Sequence, residues 1–215
     1  MTRLVSMSLY GNASMYSLGA VANAKLLPEI YPGWKMRIYC DRTMDTRELE
    51  SLGCEIKKMS ASRQHSGMFW RFFPAWEKGI ERVIFRDADS RFNVRESAAV
   101  KAWENSGKIA HCMHDHKHHR GLPISGGMWG IKAGYLFDYL LKEIVDMSNH
   151  PQKRVIDMRY LAKNIHPLIE KSLLRHSSVK LKWPNCRFPK HPEFNGFVGQ
   201  QHDSNGESFW PKVGR

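Results

Sequence analysis

Arg82-Val83-Ile84-Phe85-Arg86-Asp87-Ala88-Asp89-Ser90-Arg91 is the stretch whose reading decides the fold. Its apolar run, 82–85, is short and bounded by turn and acidic residues, as expected of a strand buried on both faces of a parallel sheet. In open α/β sheets ligands bind beyond the carboxyl ends of the strands, which is where Asp87 and Asp89 are predicted. Two carboxylates one residue apart at a strand exit reach one divalent cation when the turn brings their oxygens together. A cation held in this way bridges a diphosphate and neutralises the charge that develops on it as a leaving group. Alone the pattern is weak: about half of all chains this long contain an Asp-x-Asp by chance. Loop carboxylates capping the next helix are the plain alternative.

Outward from this strand, strand-like and helix-like segments alternate. Residues 4–9 read as a strand and 14–27 as a Ser-, Ala- and Leu-rich helix ended by Pro28, Pro32 and Gly33. Further strands follow at 36–40 and 54–59, with a short helix at 46–52 between them and a helical turn or two at 69–76. Beyond the acidic turn, 95–105 reads as helix, 108–113 and 124–131 as extended, and 135–147 as a helix with apolar residues at helical spacing. Residues 155–174 form one helix or a pair broken near Pro167. From Trp183 onward, Pro184, Pro189, Pro192 and Pro211 predict a tail (183–215) lying over the active site without regular elements. The alternation predicts one α/β domain over residues 1–215, with a mostly parallel sheet flanked by helices.

Composition narrows the class. A chain of 215 residues, 42% hydrophobic and 25% charged, is long enough to bury a core and unlike disordered, collagen-like or disulfide-scaffold sequences. Thirty-three Lys and Arg against 21 Asp and Glu leave a formal charge of +12, which favours phosphate-bearing partners. No apolar run approaches the roughly 20 residues that span a bilayer. Ser6, Ser8, Tyr10, Gly11 and Asn12 interrupt any leader-like stretch, so a cytoplasmic location is expected. Cys40, Cys54, Cys112 and Cys186 form no C-x-x-C pair, which suits reduced thiols and excludes a zinc ribbon. Two other classes stay open. A basic chain with Trp, Tyr and Phe is compatible with a nucleic-acid-binding protein, although its cations are scattered and no such motif is present. His111, His114, His116, His118 and His119 with Asp115 raise a metallohydrolase, although no His-Glu-x-x-His occurs and Lys117 and Arg120 repel cations.

The joint occurrence of Arg86-Asp87-Ala88-Asp89-Ser90-Arg91, Arg95-Glu96 and Ser125-Gly126-Gly127-Met128-Trp129-Gly130 resembles the metal-dependent GT-A glycosyltransferases with a DxD motif. Within that group it is most similar to small modules that build bacterial surface glycans and the capsid glycans of chloroviruses, and the likeness runs from Ser8-Leu9-Tyr10-Gly11 to the tail. The resemblance implies a Rossmann-like GT-A domain using Mn²⁺ or Mg²⁺, and a nucleotide-sugar donor, specifically a UDP-sugar. It further implies transfer of a hexose to a glycan or glycoprotein acceptor with retention, and no specific nucleic acid. It also implies membership of a larger multidomain glycosyltransferase and, for a viral protein, location in the host cytoplasm.

Residue by residue, the resemblance makes Asp87 and Asp89 the metal and sugar-nucleotide motif, with Asp89 the direct ligand. Tyr10 and Asp41 match positions facing the base and ribose, where an aromatic face stacks and a carboxylate accepts from a ring N–H. Arg71, amid core aromatics in Gly67-Met68-Phe69-Trp70-Arg71-Phe72-Phe73, matches an arginine near the donor that forks onto a phosphate or orients an aspartate. His202, opening His202-Asp203-Ser204-Asn205-Gly206-Glu207-Ser208, resembles, with one residue more before the glycine, a His-x-x-Gly segment supplying a third metal ligand. Ser208 stands where that segment carries a lysine, which weakens phosphate clamping by the tail. Asp115-His116 and His119 match an Asp-His-x-x-His stretch on the acceptor side, implying Asp115 as a base for the acceptor hydroxyl or a holder of the donor sugar. Gly127, in the glycine-rich segment, fits a floor where backbone approaches the sugar, or a β-bulge.

Overall fold

The computed structural model describes residues 1–11, 13–60 and 63–210; Asn12 and the last five residues of the predicted tail, 211–215, lie outside them. Its strands are β1 (Thr2–Leu9), β2 (Lys35–Asp41), β3 (Glu55–Met59), β4 (Ile80–Arg86), β5 (Ala110–His114), β6 (Met128–Lys132) and β7 (Leu173–Ser177). They form one sheet in the order β3-β2-β1-β4-β6-β5-β7. The β1–β2, β2–β3, β1–β4 and β5–β7 pairs are parallel, whereas β6 runs antiparallel to both β4 and β5. Between β5 and β6 the chain has only a 3₁₀ turn at Lys117–Arg120, with no helix to carry it back across the sheet, so β6 returns against its neighbours.

Helices α1 (Ser14–Ile30), α2 (Arg47–Ser51) and α3 (Val94–Asn105) cover one face of the sheet, and a 3₁₀ segment at Ser66–Trp76 with α4 (Asp138–Asn149) covers the other. The period-two alternation of β-strands divides the residues between them. On β1, Val5, Met7 and Leu9 join Ala20, Ile38, Ile84 and Trp103, while Leu4 joins Phe69, Phe72, Phe85 and Trp129. Strands covered in this way need apolar residues at consecutive positions, which explains the run that made β4 recognisable. Among the described residues no helix is long and apolar enough to cross a membrane.

Three elements depart from the sequence reading. α1 continues past Pro28 to Ile30, because a proline in the last turn forfeits only one ladder bond and its fixed φ suits the helix. The break expected at Pro167 falls earlier, at a π turn, Leu161–Ile165, between α5 (Ile156–Tyr160) and α6 (His166–Ile169). Pro167 instead occupies the first turn of α6, where its missing N–H is not required. Residues 173 and 174, read as the end of a helix, open β7, the edge strand next to β5. Its outer edge is covered by the tail, where Ser177 N–H donates to the Cys186 carbonyl and Cys186 N–H to that of Arg175, each at 2.8 Å.

This topology brings the C-terminal ends of β1, β2, β4, β5 and β7 to one edge of the sheet. The β4–β6 register, with Arg86 opposite Met128, adds the start of β6 to that edge.

Candidate functional site

The acidic turn leaves β4 at Asp87 and is fastened from three sides. Asn23 of α1, wholly buried, donates from Nδ2 to the Ser90 carbonyl (2.8 Å) and accepts at Oδ1 from Phe92 N–H (2.9 Å). Gly19, one turn earlier, lets α1 lie directly against the Ala88 carbonyl, where a Cβ would overlap that oxygen. Beneath the turn, the buried Arg86 guanidinium donates to Glu96 of α3 (3.3 Å), which also accepts from the Tyr31 hydroxyl (2.7 Å). Asn93 caps α3 by accepting from Glu96 N–H at 3.0 Å, so Glu96 serves the scaffold of the turn.

Arg71 is the node of the site. β1 positions its backbone, the Ser6 hydroxyl donating to the Arg71 carbonyl (2.7 Å) and the Ser8 hydroxyl accepting from Arg71 N–H (2.9 Å). Its guanidinium, 6% exposed, donates to Asp87 and, at 2.9 Å, to Asp157 of α5. Asp157 is itself 5% exposed, and its burial pushes the carboxyl up against the lowering effect of Arg71. The Asp87 side chain is half exposed. Gly127 lies so close to it that a Cβ would overlap the carboxylate.

Asp89, 4% exposed, accepts from the Gln201 side-chain amide at 2.8 Å. Burial, reinforced by the charge of Asp87, pushes its pKa up to about 6. These residues, with Ser8, Tyr10, Tyr16, Arg154 and Val155, line an open cavity of about 250 Å³ at the sheet edge.

The predicted site residues fall into two groups. Tyr10, Arg71, Asp87, Asp89 and Gly127 line this one cavity. The Tyr10 ring rests edge-on against Trp70, centroids 6.2 Å apart, and its burial pushes the phenol up to about 12. Asp41 ends β2 at the same edge of the sheet but outside the cavity lining. His202 adjoins the site through its backbone, its N–H donating to the Asp89 carbonyl at 2.8 Å. Its ring Nδ1 is buried without a hydrogen-bond partner among the described residues. Asp115 lies apart: Arg95 forks onto both its oxygens at 2.7 and 2.9 Å, and Val198 N–H donates to Oδ2 at 2.9 Å. Those bonds tie the tail to α3 and β5.

Asp157, Arg154, Tyr16 and Gln201 were not singled out from the sequence. Each reaches the cavity from an element distant in the chain, and none belongs to a local pattern.

The histidine cluster is taken up by its own turn and the tail. His114 Nδ1 bonds the His119 carbonyl (2.7 Å), His119 Nδ1 accepts from Asp115 N–H (3.1 Å), and the His116 ring stacks on Phe197 at 4.3 Å. Among the described residues no three His, Cys, Asp or Glu side chains converge on a common metal position. This holds for the cluster and equally for Asp87, Asp89 and His202. The aspartate pair nevertheless fits a cation: burial and the charge of Asp87 make the Asp89 carboxylate costly to ionise, and a divalent ion relieves that cost. His202 is outside the cavity lining and meets this pair only through its backbone N–H on the Asp89 carbonyl.

Solved structures place this fold. The chain superposes on a glycosyltransferase involved in the glycosylation of the major capsid of PBCV-1 with a TM-score of 0.52 and 14% identity, over 82% of each chain. The fold is GT-A. Glucosyl-3-phosphoglycerate synthase from Mycobacterium tuberculosis, in complex with Mn²⁺, UDP and glucosyl-3-phosphoglycerate, matches with a TM-score of 0.53 and 11% identity, over 90% of this chain and 72% of that one. Mannosyl-3-phosphoglycerate synthase from Rubrobacter xylanophilus matches with a TM-score of 0.50 and 11% identity, over 89% and 68%. No family model and no curated protein matches the sequence. The GT-A fold thus rests on three-dimensional likeness, and the acidic turn lies at the carboxyl edge of the sheet, where open α/β sheets bind ligands.

Proposed function

We propose that the protein is a metal-dependent glycosyltransferase that moves a hexose from a UDP-sugar to a glycan or glycoprotein acceptor with retention, in surface or capsid glycan synthesis. The observation that carries the reading is the meeting of Asp87 and Asp89 with Gly127 and Arg71 in one cavity at the C-terminal edge of the sheet. The Mn²⁺ and UDP of the M. tuberculosis complex support the donor and metal class, and the PBCV-1 likeness supports the glycan context.

Asp87 and Asp89 would hold Mn²⁺ or Mg²⁺, and His202 would join them as a third donor only if the tail carried its ring toward the pair on binding. When bound, the ion supplies neutralising charge for the departing diphosphate. The chain's own residues prepare that event. Arg71 keeps Asp87 aimed at the cavity through the ion pair between them. Gly127 lets the backbone approach the sugar without a Cβ in the way. Tyr10 offers an aromatic surface to the base, with Asp41 at the next strand end as an acceptor for ribose or base N–H groups. Asp115 holds the tail, and through it Gln201 and His202, against Asp89.

A thermal-shift panel of UDP, GDP, CDP and TDP, each with Mn²⁺ or with EDTA, tests the reading. UDP at about 100 times its dissociation constant should add roughly 2.7 kcal/mol of stability, and only with metal. Indifference to all four nucleotides overturns the proposal.

A further inference from the structure

Among the described residues, five charged side chains line the cavity: the carboxylates of Asp87, Asp89 and Asp157 and the guanidiniums of Arg71 and Arg154. Arg71 is buried and bonded to two of the carboxylates. Arg154 differs in each respect. It is exposed, and among the described residues no hydrogen bond or ion pair engages it. Its charge is felt at another lining residue: the phenol of Tyr16 is raised by burial and by Asp89, and Arg154 opposes them.

The backbone at this point is strained. Val155 holds φ 62° and ψ 12°, in the left-handed region, where a β-branched residue costs on the order of 1–3 kcal/mol. Such a turn persists only where its surroundings hold it, and two residues on Asp157 is locked to Arg71. The Arg71–Asp157 pair therefore fixes the 154–155 turn at the cavity wall, with a charged fork that no carboxylate among the described residues pairs with.

A cavity with three carboxylates repels an anionic ligand unless cations face it. A planar guanidinium with free donors matches phosphate oxygens in a bidentate way. We propose that Arg154 is the contact residue for the diphosphate of the donor, closing on it from the α5 side of the cavity. The inference rests on the reading of this cavity as a nucleoside-diphosphate site and assigns a phosphate-binding residue to it.

Isothermal titration of uridine, UDP and inorganic pyrophosphate, each with Mg²⁺, against the wild type, Arg154→Ala and Arg154→Lys tests it. Arg154→Ala should weaken UDP and pyrophosphate by about 10- to 100-fold and leave uridine unchanged, the loss expected for a hydrogen bond to a charged group. Arg154→Lys should fall between, keeping the charge and losing the fork. The melting temperature of all three should agree, since the side chain is exposed and unengaged. If Arg154→Ala binds UDP and pyrophosphate within twofold of the wild type, the assignment of Arg154 is overturned while the nucleotide reading stands. If the wild type binds pyrophosphate through Arg154 but prefers no nucleotide, the anion contact stands and the donor reading falls. If the wild type binds neither, both fall.

Discussion

Replacing Arg71 with methionine removes the counter-charge of two carboxylates in very different surroundings. Asp87 is half exposed, so water takes over and its share of the loss is small. Asp157, 5% exposed, is left as a buried charge without a partner, and breaking such a pair costs about 3–5 kcal/mol. At roughly 2–4 °C per kcal/mol for a domain of this size, the melting temperature should fall by about 6–20 °C at pH 7. Asp157→Asn alone keeps an acceptor for the guanidinium and should cost about 1–2 kcal/mol. Adding Asp157→Asn to Arg71→Met removes the stranded charge, so the double variant should be more stable than Arg71→Met alone. The coupling should be about 2–3 kcal/mol, read from urea unfolding of the four proteins. Acid distinguishes this account from simple loss of packing. Burial raises the folded-state pKa of Asp157 above its unfolded value, so protonation favours the folded state of Arg71→Met, and its deficit should shrink as pH falls. A coupling below about 0.5 kcal/mol, or a deficit that does not depend on pH, refutes the reasoning.

Other expectations follow from the same geometry. Asp89→Asn removes a buried carboxylate whose pKa is pushed up to about 6; the folded wild type loses stability as the carboxylate ionises with pH rising through that value, so the variant should be more stable than wild type at pH 8 by about 1–3 kcal/mol in urea unfolding. The same variant should lose the metal-dependent part of nucleotide stabilisation; unchanged stability together with retained metal response contradicts the assignment. Gly127→Ala drives a Cβ into the Asp87 carboxylate and should abolish the Mn²⁺-dependent thermal shift for about 1 kcal/mol of apo stability; a normal shift would show that Asp87 need not occupy its present place. Burial lowers the pKa of His119 and His176 to about 4, so the unfolded chain takes up protons near 6.5 and the folded chain only near 4. Stability should therefore be full above about pH 6.5 and fall on acidification, by about 2 kcal/mol per histidine at pH 5, with His176→Gln flattening the profile; a flat wild-type profile refutes this.

The sequence is most readable where a function of the chain is local. β4 and the acidic turn could be read because a strand covered on both faces needs a continuous apolar run, and its exit leads directly into the two aspartates. Arg71 was recognisable only by likeness, since its meaning comes from Ser6 and Ser8 below it and Asp87 and Asp157 beside it, residues far apart in the chain. Asp157 and Arg154 had no signal at all: they flank a strained turn in a stretch whose periodicity says only helix. The antiparallel course of β6 and the existence of β7 were hidden for a related reason. Strand direction depends on the connection and on the neighbours, and Leu173-Leu174 suits a helix as well as an edge strand. The histidine cluster, conspicuous in the sequence, proved to be turn hydrogen bonds and stacking on the tail.

The central claim is that Asp87 and Asp89 anchor a divalent ion and, through it, a nucleoside diphosphate. Anomalous difference density at the manganese edge, from a crystal of this protein soaked with Mn²⁺ and UDP, tests it most directly. The account predicts one strong peak within ligand distance of an Asp89 carboxylate oxygen, in contact with phosphate oxygens and lost in Asp89→Ala. A nucleotide bound elsewhere, or a cavity containing UDP with no manganese between the diphosphate and the acidic turn, contradicts it.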